Sequence, residues 1–495
     1  MMLDKIMQGI ETLDISGDTG MDIAGLSYDS RKVGNGHLFF ALPGEHADGH
    51  SFIRKAVEKG AAAVVYERPG LYAGAKPGAM VTLIHVKDSR KAIAFASNNF
   101  FQRPSESLQV IGITGTNGKT TTTYLLKAIL EEWGQKVGLI GTIQYMIKDA
   151  VYDAIHTTPE ALEFQALLHE MLAANCGYVV TEVSSHALAQ KRVDGTAFKG
   201  AVFTNLTRDH LDFHKTMEEY FEAKTRLFTE LLDSSAASVI NYDDPWGRKL
   251  AALLKGERGE VCTYGMEPGS DLTAADIHDS FKGLRFSVTF HGRKYDFVSS
   301  LMGQPNVYNI LSAVGASLSL GVPWEVILEG IGKAGPATGR FQKIDAGQEF
   351  LAIVDFAHTQ DALERLIHTA RGLSSGRIIT VFGCGGDRDR GKRPVMGALA
   401  TRLSDVVIIT SDNPRSEDPE EIIKEIESGA VRKNYLVEPD RKEAIIKAVQ
   451  MARGDDIVLI AGKGHETYQE IGEKRYALND REVLEEAIKQ LDKNK

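Results

Sequence analysis

Residues 108–133 read "LQVIGITGTNGKTTTTYLLKAILEEW", and this stretch constrains the fold more than any other. An apolar run enters a Gly-Thr-Asn-Gly-Lys-Thr turn, and apolar residues at helical spacing follow. The pattern predicts a strand, a glycine-rich turn and a helix. Such a turn aims backbone N–H groups and a helix N-terminus at an anion, to which Lys119 adds a positive charge. Thr120 offers a hydroxyl suited to magnesium. The usual phosphate-loop spacing puts its first glycine where Ile113 stands here, and Gly115 sits closer in, so the loop is a variant. Taken alone it leaves kinase, nucleotide switch, motor and ligase open.

The alternation recurs along the chain. "YVVTEV", "GAVFTNL", "ASVINYDD", "FLAIVDFAH", "RIITVFGCGGD", "DVVIITSDNP" and "DIVLIAGKGHE" each run an apolar strand into polar or glycine residues. This predicts an α/β protein with mainly parallel sheets, whose ligands lie beyond the carboxyl ends of the strands. A length of 495 residues suggests about three domains. Polar, proline-bearing "FQRPSESLQ" and glycine-rich "GKAGPATGR" mark boundaries that divide the chain into 1–107, 108–335 and 336–495. A net charge of −10 argues against a nucleic-acid partner held by phosphate attraction. No apolar run is long enough to span a bilayer. The start "MMLDKIMQGIETLD" carries acidic residues and predicts no secretory leader. Cys176, Cys262 and Cys384 are too scattered for a disulfide framework or a zinc site, so the cytoplasm is the expected location.

In the middle segment Glu182 closes a strand, where a carboxylate is placed to hold magnesium, or else to cap a helix. "TNLTRDHLDFHKT" packs Asp209, His210, Asp212 and His214 together; metal or phosphate contact and a merely solvated loop are both open. The Asn-Lys-x-Asp needed to read guanine is missing from "NLTRD", against a nucleotide switch. In the helical stretch "YFEAKTRLF", Lys224 reads by itself as a surface lysine.

Taken together, "GITGTNGKTTTT", "EVSSHAL", "TNLTRDHLDFH" and "YFEAKTRLF" resemble the central domain of the Mur ligases, ATP-dependent amide ligases of bacterial cell-wall synthesis. "YDSRKVGNGHLFFALPGEHADGH", "GQPNVYNILSA", "VDFAHTQDAL", "GCGGDRDRGKRP", "DNPRSEDP" and "AGKGHE" extend the resemblance over essentially the whole chain, toward the branch that adds the third peptide residue. The resemblance implies three α/β domains: a substrate-binding domain, a central P-loop ATPase-like parallel sheet and a C-terminal Rossmann-like domain. It implies that Gly115, Thr116, Asn117, Gly118, Lys119, Thr120 and Thr121 hold ATP, with Asn306 at the adenine, Arg340 at the γ-phosphate, and Asp355 and His358 at ribose or phosphates. Thr120 and Glu182 would hold one magnesium ion and His210 a second. Lys224 would be carbamylated, reversing the surface reading. "GRFQ" and "DFAHTQ" stand where "GRME" and "DYAHTP" are more usual, and both keep the arginine, aspartate and histidine.

Resemblance further assigns Ser30 and His46 to the uridine diphosphate, and Thr157, Thr158, Ser184, Gln190 and Arg192 to the muramoyl-dipeptide, whose carboxylates suit an arginine fork. Arg388, Asn413, Arg415, Gly462 and Glu466 would bind the incoming amino acid. "DNPR" is the form associated with meso-diaminopimelate-adding members; L-lysine is the alternative. The expected partners are these small molecules, with neither nucleic acid nor membrane, and a monomer is expected.

Overall fold

The computed structural model describes residues 1–44, 47–68, 70, 81–256 and 259–493. His46 therefore lies outside the described residues. The chain divides into two compact units, Met1–Asp271 with Ser312–Ile327, and Leu272–Leu311 with Leu328–Lys495.

The first unit carries two sheets. The N-terminal one is five-stranded, in the order Thr12–Ser16, Thr82–Val86, Ala61–Tyr66, His37–Phe40 and Gly25–Ser27. Only its first strand runs antiparallel to its neighbour. In "HLFF", Leu38 and Phe40 enter one apolar cluster while Phe39 enters another. Side chains alternate across a strand, so burial on both faces makes the run continuously apolar.

The second sheet is built around Gln109–Thr114, buried at every position after its first residue. Tyr178–Glu182 and Phe198–Phe203 flank it in parallel, so Glu182 lies level with Ile113 at the end of the loop-bearing strand. Val137–Ile140 lies outside Tyr178–Glu182, and Leu232–Asn241 and Val261–Gly265 continue the other side, again parallel. The helix Lys119–Glu132 buries Leu125, Leu126, Ile129 and Leu130. Each such side chain contributes about 1.5–3 kcal/mol on leaving water.

The second unit holds a six-stranded sheet in the order Gln342–Ile344, Leu351–Asp355, Ile457–Ala461, Ile378–Phe382, Val406–Ile409 and Tyr435–Val437. All pairs but the first are parallel. Ile353, Phe382, Ile409 and Leu459 pack on one face, and Val354, Val381, Ile408 and Ile460 on the other. The expected α/β class with parallel sheets is observed. The sequence reading did not single out the antiparallel strands Gln144–Ile147 and Ala150–Asp153, nor the ribbon Leu272–Ser280, Gly283–Phe290 and Arg293–Ser299. Several of these are half-exposed, whereas Gly283–Phe290 alternates Leu284, Phe286 and Val288 with polar residues, a strand signal that the sequence did carry.

Candidate active site

The loop between the central strand and its helix is tied to the segment that follows Phe198–Phe203. Thr116 N–H donates to Asn205 O at 2.8 Å and Asn117 N–H to Asn205 Oδ1 at 3.0 Å. Gly115 has φ 146°, and a Cβ there would lie 1.9 Å from Thr204 Oγ1, so only glycine fits. Lys119 Nζ donates to Gly115 O at 2.9 Å and to Thr116 O at 2.7 Å. Lys224 Nζ donates to the same Gly115 O at 2.8 Å and lies 4.7 Å from the centre of the Tyr220 ring. Two lysine side chains thus share one carbonyl oxygen. Lys224 is 1% exposed, which corrects the surface reading; its helix, Met217–Arg226, turns that face inward with Tyr220 and Phe221. Burial first, and Lys119 second, hold the Lys224 amine well below the usual lysine range. Among the described residues no carboxylate pairs with it. Burial and that absence of an acidic partner set Lys224 apart from a surface lysine.

Glu182 is 1% exposed. Its carboxylate accepts from Thr142 N–H at 2.8 Å and Thr142 Oγ1 at 3.0 Å, and no basic side chain neutralises it among the described residues. A buried anion without a cation partner, near a loop that presents the Thr120 hydroxyl, is the hard oxygen donor set magnesium takes. Among the described residues no group of three or more His, Cys, Asp or Glu could hold an ion by itself. His210 sits at φ 52° before the short helix Leu211–His214, half-exposed, with Nε2 3.5 Å from Asp209 Oδ2. Partial burial, with Lys119 and Lys224 nearby, pushes its pKa below the ordinary value, favouring the neutral imidazole that can ligate a metal.

The residues assigned to the muramoyl-dipeptide gather beside Glu182. Thr158 Oγ1 donates to Glu182 O at 2.8 Å and accepts from Ser184 N–H at 3.0 Å. Thr157 Oγ1 is 3.1 Å from Thr142 Oγ1. Arg192 donates to Thr158 O at 3.1 Å and to Gln190 Oε1 at 2.7 Å, and pairs with Glu160 at 2.7 Å. Thr142 and Glu160 were missed from sequence. Ser30 is buried near Tyr28, whose hydroxyl donates to Glu163 Oε1 at 2.9 Å.

In the second unit two clusters form at strand ends. At the first, Asp355 accepts from Phe341 N–H at 2.6 Å and Ala357 N–H at 2.8 Å. The Arg340 guanidinium lies 4.8 Å from the Phe356 ring, which also meets His358 and His465. "GRFQ", "DFAH" and "GKGHE" therefore converge. Asn306 does not join them through hydrogen bonds: its amide donates to Met302 O at 2.7 Å and accepts from Asn309 at 2.9 Å.

At the second, Asn413 is the hub. It donates to Glu466 Oε2 at 2.9 Å and accepts from Lys463 Nζ at 3.0 Å and Glu470 N–H at 2.9 Å. Lys463 is fully buried and pairs with Glu466 at 2.9 Å. Gly462 has φ 118°, and a Cβ there would meet Asp412 Oδ2 at 2.6 Å. Arg415 pairs with Glu470 at 3.1 Å and donates to Gly386 O at 2.8 Å. Arg388 is exposed and bonds only to Asp387 O among the described residues, at 3.1 Å. Beneath both motifs Arg441, fully buried and paired with Asp480, donates to Ala461 O and Ser411 O, the residues that precede them. Lys463, Glu470 and Arg441 were not foreseen; Lys463 lay inside a quoted motif, and the others carry no local signal.

Three family models match the chain: the Mur ligase family catalytic domain over residues 22–101, the Mur ligase middle domain over 113–317 and the Mur ligase glutamate ligase domain over 339–464. The UDP-N-acetylmuramoyl-L-alanyl-D-glutamate--2,6-diaminopimelate ligase 1 of Clostridium acetobutylicum is 44% identical over 493 residues, 99% of this chain and 100% of that protein. The chain belongs to the Mur ligase family. This Mur ligase is also 45% identical to the UDP-N-acetylmuramoyl-L-alanyl-D-glutamate--2,6-diaminopimelate ligase of Aquifex aeolicus, over 94% of both chains. A solved UDP-N-acetylmuramoyl-L-alanyl-D-glutamate--2,6-diaminopimelate ligase superposes with a TM-score of 0.72 at 34% identity, covering 99% of each chain. A Thermotoga maritima MurF ligase solved with ADP shares the fold, at a TM-score of 0.61 and 19% identity over 95% and 98% of the two chains.

Proposed function

We propose that this Mur ligase joins meso-diaminopimelate to the D-glutamate of UDP-N-acetylmuramoyl-L-alanyl-D-glutamate at the expense of ATP. The observation that carries the reading is the cluster at Asn413, where "DNPR" and "GKGHE" meet around two carboxylates and two basic groups. Its full-length relatives bear the name of that reaction. The glutamate carboxylate attacks the γ-phosphorus, ADP leaves, and an acyl phosphate forms. The neutral α-amine of the incoming residue then attacks the acyl carbon, and the tetrahedral species expels phosphate while losing a proton.

Lys119 and the loop N–H groups hold the phosphate charge that would otherwise repel the carboxylate. Arg192, Thr157, Thr158, Ser184 and Gln190 would hold the dipeptide, and Ser30 the nucleotide. Thr120 and Glu182 would bind one magnesium and His210 a second, with Lys224 as its carbamate; bound there, magnesium supplies charge neutralisation at the phosphates. We place the three roles on 1–107, 108–335 and 336–495.

Preference for diaminopimelate follows from charge. With its attacking amine neutral, meso-diaminopimelate keeps two carboxylates and one ammonium, whereas L-lysine keeps one of each. Around Asn413, Lys463 is matched by Glu466, Arg415 and Arg475 share Glu470, Asp412 lies beside Gly462, and Arg388 has no acidic side-chain partner among the described residues, so Arg388 and the open Nη2 of Arg415 are left for a second carboxylate. Because Arg415 already has a partner, L-lysine would not leave it bare, and the expected discrimination is about 10²-fold. The test is phosphate release that requires both the nucleotide dipeptide and the amino acid. Release that ignores the amino acid would refute a ligase.

A further inference from the structure

Arg415 is held twice by the hairpin Tyr468–Ile471 and Lys474–Ala477. Its backbone lies at φ 51°, a conformation that costs a non-glycine residue free energy. Arg415 N–H donates to Glu470 O at 3.0 Å, and Gly472 N–H donates to Arg415 O at 2.7 Å. Those two bonds fix the main chain.

The guanidinium is fixed separately. Glu470 divides its carboxylate: Oε2 accepts from Arg415 Nε at 3.1 Å, and Oε1 accepts from Arg475 Nε at 3.0 Å. The Arg475 guanidinium in turn lies 4.2 Å from the centre of the Tyr468 ring. Arg415 Nη1 is held by Gly386 O, and Nη2 has no acceptor among the described residues. An arginine tied at Nε and Nη1 presents Nη2 to a carboxylate in a fixed orientation, with little rotamer freedom left to lose on binding.

We propose that Glu470 is a positioning and specificity-determining residue of the amino-acid site. Its carboxylate orients Arg415 so that the open N–H groups grip the distal carboxylate of the incoming amino acid. This rests on the function proposed above, and adds a residue outside both quoted motifs. The main-chain clamp survives loss of the Glu470 side chain, so the loop should keep its shape while the guanidinium loses its anchor.

The test is steady-state kinetics of the full chain, with Michaelis constants for meso-diaminopimelate, ATP and the nucleotide dipeptide, and a melting temperature. Glu470→Ala should raise the constant for meso-diaminopimelate about tenfold or more, as loss of a charge-assisted hydrogen bond implies. kcat, the other two constants and the melting temperature should hold. Glu470→Gln, whose amide oxygen still accepts from Nε, should recover most of this and leave a rise of about threefold. An unchanged or lowered constant in Glu470→Ala would overturn the role, as would parallel rises for all three substrates with a fall in melting temperature. Should the alanine variant not fold, Glu470→Gln decides: a few-fold rise for meso-diaminopimelate alone supports the role, and no rise overturns it. Equal use of L-lysine by the unmutated enzyme would overturn the proposed function and this role with it. A selective enzyme indifferent to Glu470→Ala would overturn this role alone.

Discussion

The central loop and the C-terminal amino-acid cluster handle charge in opposite ways. At the loop, Lys119 and Lys224 converge on one carbonyl oxygen, and Lys224 and Glu182 are both buried without a side chain of opposite charge. At the Asn413 cluster the basic groups are mostly paired inside the protein: Lys463 with Glu466, and Arg415 and Arg475 with Glu470. An uncompensated buried carboxylate is costly, so under the proposed function Glu182 would gain from a cation arriving with the nucleotide, whereas the second cluster has its geometry fixed before any ligand arrives.

If that contrast is right, removing a charge at the loop should cost far more than removing one at the amino-acid cluster. Lys119→Ala should lower turnover by at least ~10³-fold, as loss of a preorganised phosphate contact implies, with circular dichroism unchanged. Near-normal phosphate release would break the contrast at once. Lys224→Ala should cost about 10²-fold or more, and short carboxylic acids should restore part of it by standing in for the carbamate. Full activity without them would leave the buried amine with no chemical role.

At the other site, Arg415→Ala should raise the Michaelis constant for meso-diaminopimelate about 10²-fold, the loss of a bidentate charge-assisted contact, and leave that for ATP alone. Rises in both would mean that the cluster supports the fold and not recognition. Glu182→Gln should have the mildest signature: a magnesium requirement shifted upward about tenfold with nucleotide-dipeptide affinity kept. An unmoved magnesium titration would remove Glu182 from the metal site.

Much of the fold was legible because the decisive strands are buried on both faces. "QVIGIT", "LAIVD" and "IVLIA" are unbroken apolar runs that end in glycine or polar residues, and those ends are where the side-chain clusters form. Among the antiparallel strands, exposed Ala150–Asp153 left little trace, while Gly283–Phe290 carried a clear alternation that was not singled out. Motif residues such as Lys119, Asn413 and Glu466 could be named because their neighbours in sequence carry the pattern. Lys224 could not be read from its own surroundings: its burial depends on packing against a loop more than a hundred positions away. Glu470 is similar. It lies on a half-exposed hairpin, and only the fold brings it to Arg415.

The most direct measurement is the catalytic efficiency of the purified enzyme with meso-diaminopimelate and with L-lysine, at saturating ATP and nucleotide dipeptide, with the product identified by mass. Efficiency about 10²-fold higher with meso-diaminopimelate is expected from a site that leaves Arg388 and an oriented Arg415 for a second carboxylate. Comparable efficiency with the two amino acids would contradict it.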